Sequence, residues 1–168
     1  MINQLTIRLA TTDDAGLINK LAWIIFPETY KNILSPEQKN YMMEWMYSVP
    51  SLIRQMNEEH HSYLLAYEGE QCIGYASVQP QDHTTFHLQK LYILPEKQGY
   101  GYGTQLFFAA IGFVKNLNPD IKSIQLNVNR YNSALSFYEH LGMKKIAQGD
   151  FDIGHGYYMN DYIMELEI

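Results

Sequence analysis

Gln98, Gly101 and Gly103 fall within one glycine-rich run, Gln98-Gly99-Tyr100-Gly101-Tyr102-Gly103-Thr104. Before it lies an apolar, strand-like stretch, Leu91-Tyr92-Ile93-Leu94, and after it come helix-forming and apolar residues as far as Lys115. A glycine turn between a strand and a helix start makes an anion site. Glycine lets the backbone come close to a ligand, and the first N–H groups of a helix have no partner within it. The chemistry implied is capture of a phosphate or pyrophosphate group.

Two common phosphate loops do not fit. A Walker loop ends in Gly-Lys-Ser/Thr, and here Thr104 follows Gly103 directly. A dinucleotide fingerprint needs G-x-G-x-x-G early in a strand–helix–strand unit, whereas these glycines alternate and lie late in the chain. What the run resembles is the Gln-x-x-Gly-x-Gly pyrophosphate loop of the GNAT superfamily, the acyl-CoA-dependent N-acetyltransferases. A second segment, Asn132 to Met143, adds to the resemblance. It looks like the family's asparagine followed by Ala-x-x-Phe-Tyr-x-x-x-Gly, with Ala134, Phe137, Tyr138 and Gly142 in place and Met143 where phenylalanine is usual. The likeness covers the chain from about Tyr63 to Ile153, and Ile7-Arg8-Leu9-Ala10 with Asp13-Asp14-Ala15 looks like the family's first strand and helix.

The resemblance implies an α/β fold, a central mixed, mostly antiparallel sheet flanked by helices and splayed at the acyl-CoA site. It implies acetyl-CoA as co-substrate, held by the amides of Gln98 to Thr104, with the pantetheine arm along Leu91, Tyr92 and Ile93 and a hydrogen bond from Asn132. Tyr138 matches the tyrosine near the cofactor sulfur that acts as acid; otherwise it is a core tyrosine, since it shares a face with Ala134 and Phe137. The oxyanion donor is expected to be a backbone N–H near Leu91 to Ile93. Asn132 is also readable as a plain helix cap.

The base is less defined. Glu28 is the first choice and His87 the second; Asp152 and Asp161 near the C-terminal hairpin are further possibilities. Phe26 to Tyr30 and Gly154 to Tyr162 look like a bacterial branch of polyamine or diamine acetyltransferases. A small cationic amine that attacks the thioester directly is therefore the expected acceptor, with Glu28, Tyr30 and Asp152 as pocket candidates. The alternatives are acetylation of a protein N-terminus or lysine, and a non-catalytic acyl-CoA-binding sensor. The six histidines show no metal spacing, and no serine or cysteine nucleophile is indicated.

The rest of the chain must position these groups. Its 168 residues suffice for one domain with a full core, taken as 1–168. A formal net charge of −6 with no basic run argues against nucleic acid. No apolar run reaches the roughly 20 residues that span a bilayer. With no secretion signal and a single cysteine, Cys72, read as a core thiol, a cytoplasmic protein is expected. A homodimer is the expected assembly if the family habit holds.

Alternation at Leu5, Ile7 and Leu9 marks a first strand. Thr11 or Thr12 caps a helix whose stripe is Leu17, Ile18, Leu21, Ile24 and Ile25, expected to stop before Pro27. Ser35-Pro36-Glu37-Gln38 opens a second helix, with Tyr41, Met42, Trp45, Met46 and Val49 on its inner face. A hairpin turns at Glu68-Gly69-Glu70, and a third strand spans Thr84 to Leu94. In that strand Phe86 and Leu88 occupy even positions but Leu91 and Ile93 odd ones, the phase slip of a β-bulge near Gln89-Lys90. A helix from Thr104 to Leu117 is apolar nearly all round and expected to be buried. A strand at Ile124 to Val128, a helix after Asn132 and two final strands joined at Gly154-His155-Gly156 complete the chain.

Overall fold

A computed structural model describes residues 4–168. The strands are β1 (Thr6–Leu9), β2 (Ser62–Glu68), β3 (Gln71–Pro80), β4 (Thr85–Ile93), β5 (Ser123–Asn129), β6 (Lys144–Gly154) and β7 (Tyr157–Glu167). The helices are α1 (Ala15–Thr29), α2 (Pro36–Tyr47), α3 (Val49–Asn57), α4 (Tyr102–Leu117) and α5 (Ala134–His140). The strands form one sheet in the order β1-β2-β3-β4-β5-β7-β6. Every neighbouring pair is antiparallel except β4 and β5. The mixed, mostly antiparallel sheet flanked by helices is thus as expected.

β4 and β5 pair only where Thr85, Phe86 and His87 meet Ser123, Ile124 and Gln125. Beyond that point they part, and the sheet opens into two arms. The bulge foreseen from the phase slip is present: Ser77 faces Lys90 while Val78 faces Leu88, so Gln89 has no opposite number. Strand alternation then places Leu88, Leu91 and Ile93 on one face and Lys90 and Tyr92 on the other. The first face meets α4 through Leu106, Phe107, Ala110 and Val114, all buried. The second face, which carries buried Tyr63 and Tyr75, lies under α1 to α3.

Four expectations need correction. α1 does not stop before Pro27 but runs through it to Thr29. Proline there sacrifices only the bond to the Trp23 carbonyl, on a side of the helix where Trp23 is half exposed. The last turn is closed by Thr29 Oγ1 donating to the Ile25 carbonyl at 2.9 Å and Tyr30 N donating to that of Phe26 at 3.1 Å. Ile24 faces solvent, and on α2 the buried residues are Met42, Met43 and Tyr47 while Trp45 is exposed, as is Val49 at the start of α3. The buried Tyr47 phenol decides that rotation, because it accepts a hydrogen bond from Tyr75 at 2.9 Å. α4 buries one stripe only, with Phe108 and Leu117 exposed. Cys72 is half-buried rather than fully inside, and its thiol leans on the Gly74 carbonyl.

Candidate active site

The two arms and the glycine loop enclose a cavity of about 770 Å³, within the range of small-ligand sites. Leu91, Tyr92 and Ile93 line it from the β4 arm, and Leu126, Asn127 and Val128 from the β5 arm. Gln98, Gly99, Gly101, Gly103 and Thr104 line its loop end.

Local chemistry explains the loop. Gly99 and Gly101 both have φ of +84°, a region that favours glycine, and Gly101 opens α4. A Cβ on Gly99 would meet nothing within 4 Å, so the backbone faces open space where a ligand can approach. Gly103 is needed for another reason: a Cβ there would lie 3.3 Å from the Phe137 ring, so its absence lets α4 and α5 close up. The Gln98 amide donates to the Ile93 carbonyl at 3.0 Å and ties the loop to the end of β4. The Tyr102 side chain is buried and its phenol donates to Glu68, so it anchors the helix instead of lining the cavity. Tyr100 is exposed and lies outside the cavity wall. The N-terminal end of α4, open glycine backbone and a divergent sheet edge suit a pyrophosphate joined to an extended arm.

Asn132 lines the cavity. Its Oδ1 accepts from Ala134 N at 2.9 Å, which turns the chain into α5, and its side chain also reaches the Tyr30 hydroxyl. Tyr138, near the inner end of α5, is buried, and its ring meets those of Phe107 and Phe137. Burial pushes its phenol above the ordinary range, so it keeps its proton at neutral pH. Tyr30 and Tyr92, whose hydroxyls are 3.3 Å apart, complete a phenolic cluster along the same cavity.

The four base candidates fall in different places. Glu28 lines the cavity at its rim, is more than half exposed and pairs with Lys31 at 2.6 Å. His87 sits where β4 and β5 are still zipped together and does not line the cavity. Asp152 accepts from Gly154 N at 2.8 Å in the β6–β7 turn, away from the cavity wall. Asp161 is buried beside Asn127, whose amide donates to Oδ2 at 3.4 Å. Its Oδ1 has no hydrogen-bond partner among the described residues, and burial holds the carboxyl above its usual range.

One cavity residue entered the sequence reading only as a neighbour of the bulge. Lys90, just past the bulge, is buried with its ammonium between the rings of Tyr47 and Tyr63. It donates to Gln55 Oε1 at 2.8 Å and Tyr63 Oη at 2.5 Å, and no carboxylate among the described residues pairs with it. The phase slip was the available signal, since a lysine at the point of slip must take one face or the other.

Residues 30–166 match the acetyltransferase (GNAT) domain family. Among solved structures, the PaiA N-acetyltransferase of Thermoplasma acidophilum, in complex with coenzyme A, is 25% identical with a TM-score of 0.81. That match covers 99% of this chain and 100% of the other. A spermidine/spermine N-acetyltransferase of Vibrio cholerae, in mutant forms, is 20% identical (TM-score 0.67, covering 98% and 95%). The ribosomal-protein-S18-alanine N-acetyltransferase of Escherichia coli is 16% identical (TM-score 0.73, covering 98% and 94%). The last two establish a shared fold and nothing about the acceptor. Splayed sheet, glycine loop and family match agree, and the chain belongs to the GNAT acetyltransferase family as an acyl-CoA-dependent acetyltransferase that takes acetyl-CoA as co-substrate.

Proposed function

We infer that residues 1–168 form one N-acetyltransferase domain that acetylates a primary amine of a small cationic molecule, with polyamines as the leading class. The observation that carries this reading is the buried Asp161 carboxylate, one hydrogen bond behind the cavity wall at Asn127 and with one oxygen unpartnered. A buried acceptor without a donor is costly, and an arriving ammonium supplies one. The similarity to a PaiA-type N-acetyltransferase bound to coenzyme A supports the cofactor end of the same cavity.

Each group then has a task. The backbone from Gln98 to Thr104 holds the pyrophosphate, and Asn132 with the β4 edge from Leu91 to Ile93 aligns the arm that carries the thioester. The thioester supplies an electrophilic carbonyl. Backbone N–H groups freed at the bulge face the oxygen as it gains charge. Tyr138 keeps its proton through burial and hands it to the departing sulfur. Glu28 at the rim draws the cation inward.

Thiol release from acetyl-CoA, measured over spermidine, spermine, diamines, aminoglycosides, amino acids and short peptides, tests this. Turnover with polyamines, reduced about 100-fold in Tyr138→Phe with unchanged coenzyme A affinity, is expected. Turnover confined to peptides would transfer the assignment to protein acetylation, and binding without turnover would make the chain an acyl-CoA sensor.

A further inference from the structure

We propose that Lys90 is the general base of this enzyme, and that Tyr63, Ser77 and His61 carry its proton across the sheet to solvent. This rests on the amine reading above. Lys90 lines the cavity from the β4 arm, on the same face of the sheet as Asn127 and Asp161 of the other arm, as the strand register shows. An amine held near Asp161 therefore lies between a carboxylate that attracts it and a lysine able to deprotonate it.

The surroundings of Lys90 disfavour its charge. It is 8% exposed, and its hydrogen-bond partners are an amide oxygen and a phenol. Facing it are the Tyr47 phenol from α2, the Tyr63 phenol and His61 from β2 and its approach, and His87 on its own strand, none of them anionic at neutral pH. Glu59, after α3, acts only at a distance in the opposite direction. Desolvation prevails and brings the ammonium down to about 7. A base that works near neutral pH needs a lowered ammonium of this kind.

The exit path runs along one face of the sheet from β4 towards β2. Lys90 Nζ is 2.5 Å from Tyr63 Oη. Ser77 is the register partner of both Tyr63 and Lys90, its side chain interacts with the Tyr63 phenol, and its Oγ is 3.0 Å from His61 Nδ1. His61 and Tyr63 line a second depression of about 370 Å³, bordered by Ala10 and Met56. His61 is also held neutral by burial, at about 4, so it relays protons instead of storing one.

The steps balance. Neutral Lys90 takes a proton from the bound ammonium and releases it along this path. The freed nitrogen attacks the carbonyl carbon; the C–N bond forms and the C–S bond breaks. The surplus proton on nitrogen follows the first, and the sulfur takes the Tyr138 proton, which solvent replaces. One ammonium and one thioester give one amide, one thiol and one released proton.

The test is a pH profile of kcat/KM with acetyl-CoA and spermidine, coenzyme A affinity being measured alongside. The wild type is expected to rise through a limb near pH 7. Lys90→Gln should lose about 100-fold in kcat and lose that limb, with coenzyme A affinity unchanged. His61→Ala should lose severalfold in kcat, recovered by added imidazole, and provides the answer if Lys90→Gln fails to fold. Turnover by wild type with Lys90→Gln equally active, or no rescue of His61→Ala, would overturn the role of Lys90 alone. A wild type inert towards every amine would overturn the amine reading and this role together.

Discussion

The Tyr102 phenol donates to the Glu68 carboxylate, which also holds the Lys97 ammonium at 2.5 Å. Residues 97 and 102 bracket the glycine loop, so one side chain at the end of β2 grips both of its ends. Glu68→Ala is expected to weaken acetyl-CoA binding about fivefold, because partly exposed charged pairs contribute about 1 kcal/mol. The KM for the amine should stay within twofold. Calorimetric titration with coenzyme A decides; an unchanged affinity would show that the loop holds its shape alone.

Gly74 of β3 lies against the far end of β4. A Cβ there would sit 2.4 Å from the Tyr92 carbonyl oxygen and 2.6 Å from Ile93 Cδ1. Neither strand has room to yield without moving the cavity edge. Gly74→Ala should destabilise by about 2–4 kcal/mol and lower Tm by roughly 5–15 °C. Gly112→Ala is the control: it has open space around it within α4, and it should stabilise by about 0.5–1 kcal/mol. Thermal melts of the two proteins must diverge in sign, and a stable Gly74→Ala would mean β4 is looser than its register implies.

The parts of the site that depend on local backbone chemistry were legible in the sequence. Gly99 and Gly101 announce positive φ, and the shift from Phe86 and Leu88 to Leu91 and Ile93 locates the bulge at Gln89. Pro27 misled because a helix tolerates proline near its end when a threonine hydroxyl and the following N–H close the turn. Trp45 misled because apolar size does not decide burial when Tyr47, two residues on and about 200° around the helix, has a phenol partner waiting on β3. The burial of Lys90 and of Asp161 was invisible for a different reason. Both depend on which elements close over them, and no spacing within a strand records that.

His61 and His87 set the acid limit of the fold. Burial holds both imidazoles at about 4, against an ordinary 6.5. The unfolded chain therefore binds more protons over this interval. Their contribution is fully present above pH 6.5 and is lost as the pH falls towards 4. Urea midpoints should decline across that window, and His87→Gln should flatten the decline. Parallel curves for the two proteins would place the acid sensitivity elsewhere.

Asp161 acts with the opposite sign. Its folded carboxyl is raised by burial, so its contribution is full below the usual carboxylate range and is lost as the pH rises through the raised value. Asp161→Asn is expected to raise Tm at pH 7.5 and to make no difference near pH 3. The same substitution should raise the KM for a polyamine by about tenfold, since it removes the charge that attracts the ammonium. A variant that gains stability but keeps its KM would leave Asp161 outside the acceptor site.

Lys90→Met separates stability from function most sharply. The folded ammonium titrates at about 7 against an ordinary 10.5, so the native state disfavours the charge. The stability tied to this residue is full above pH 10.5, declines as the pH falls, and is lost by about 7. Methionine has no charge to desolvate and fits the same slot between Tyr47 and Tyr63, while Tyr63 still donates to Gln55 Oε1 at 2.6 Å. Lys90→Met is therefore expected to be more stable than wild type by about 2–4 kcal/mol at pH 7, with the gain shrinking towards pH 10. Its kcat should fall about 100-fold at the same time. Denaturant curves at pH 7 and pH 10 test the first half and thiol release the second. A stabilised protein that had lost its turnover would show that the fold keeps this lysine at a cost, for the sake of the reaction.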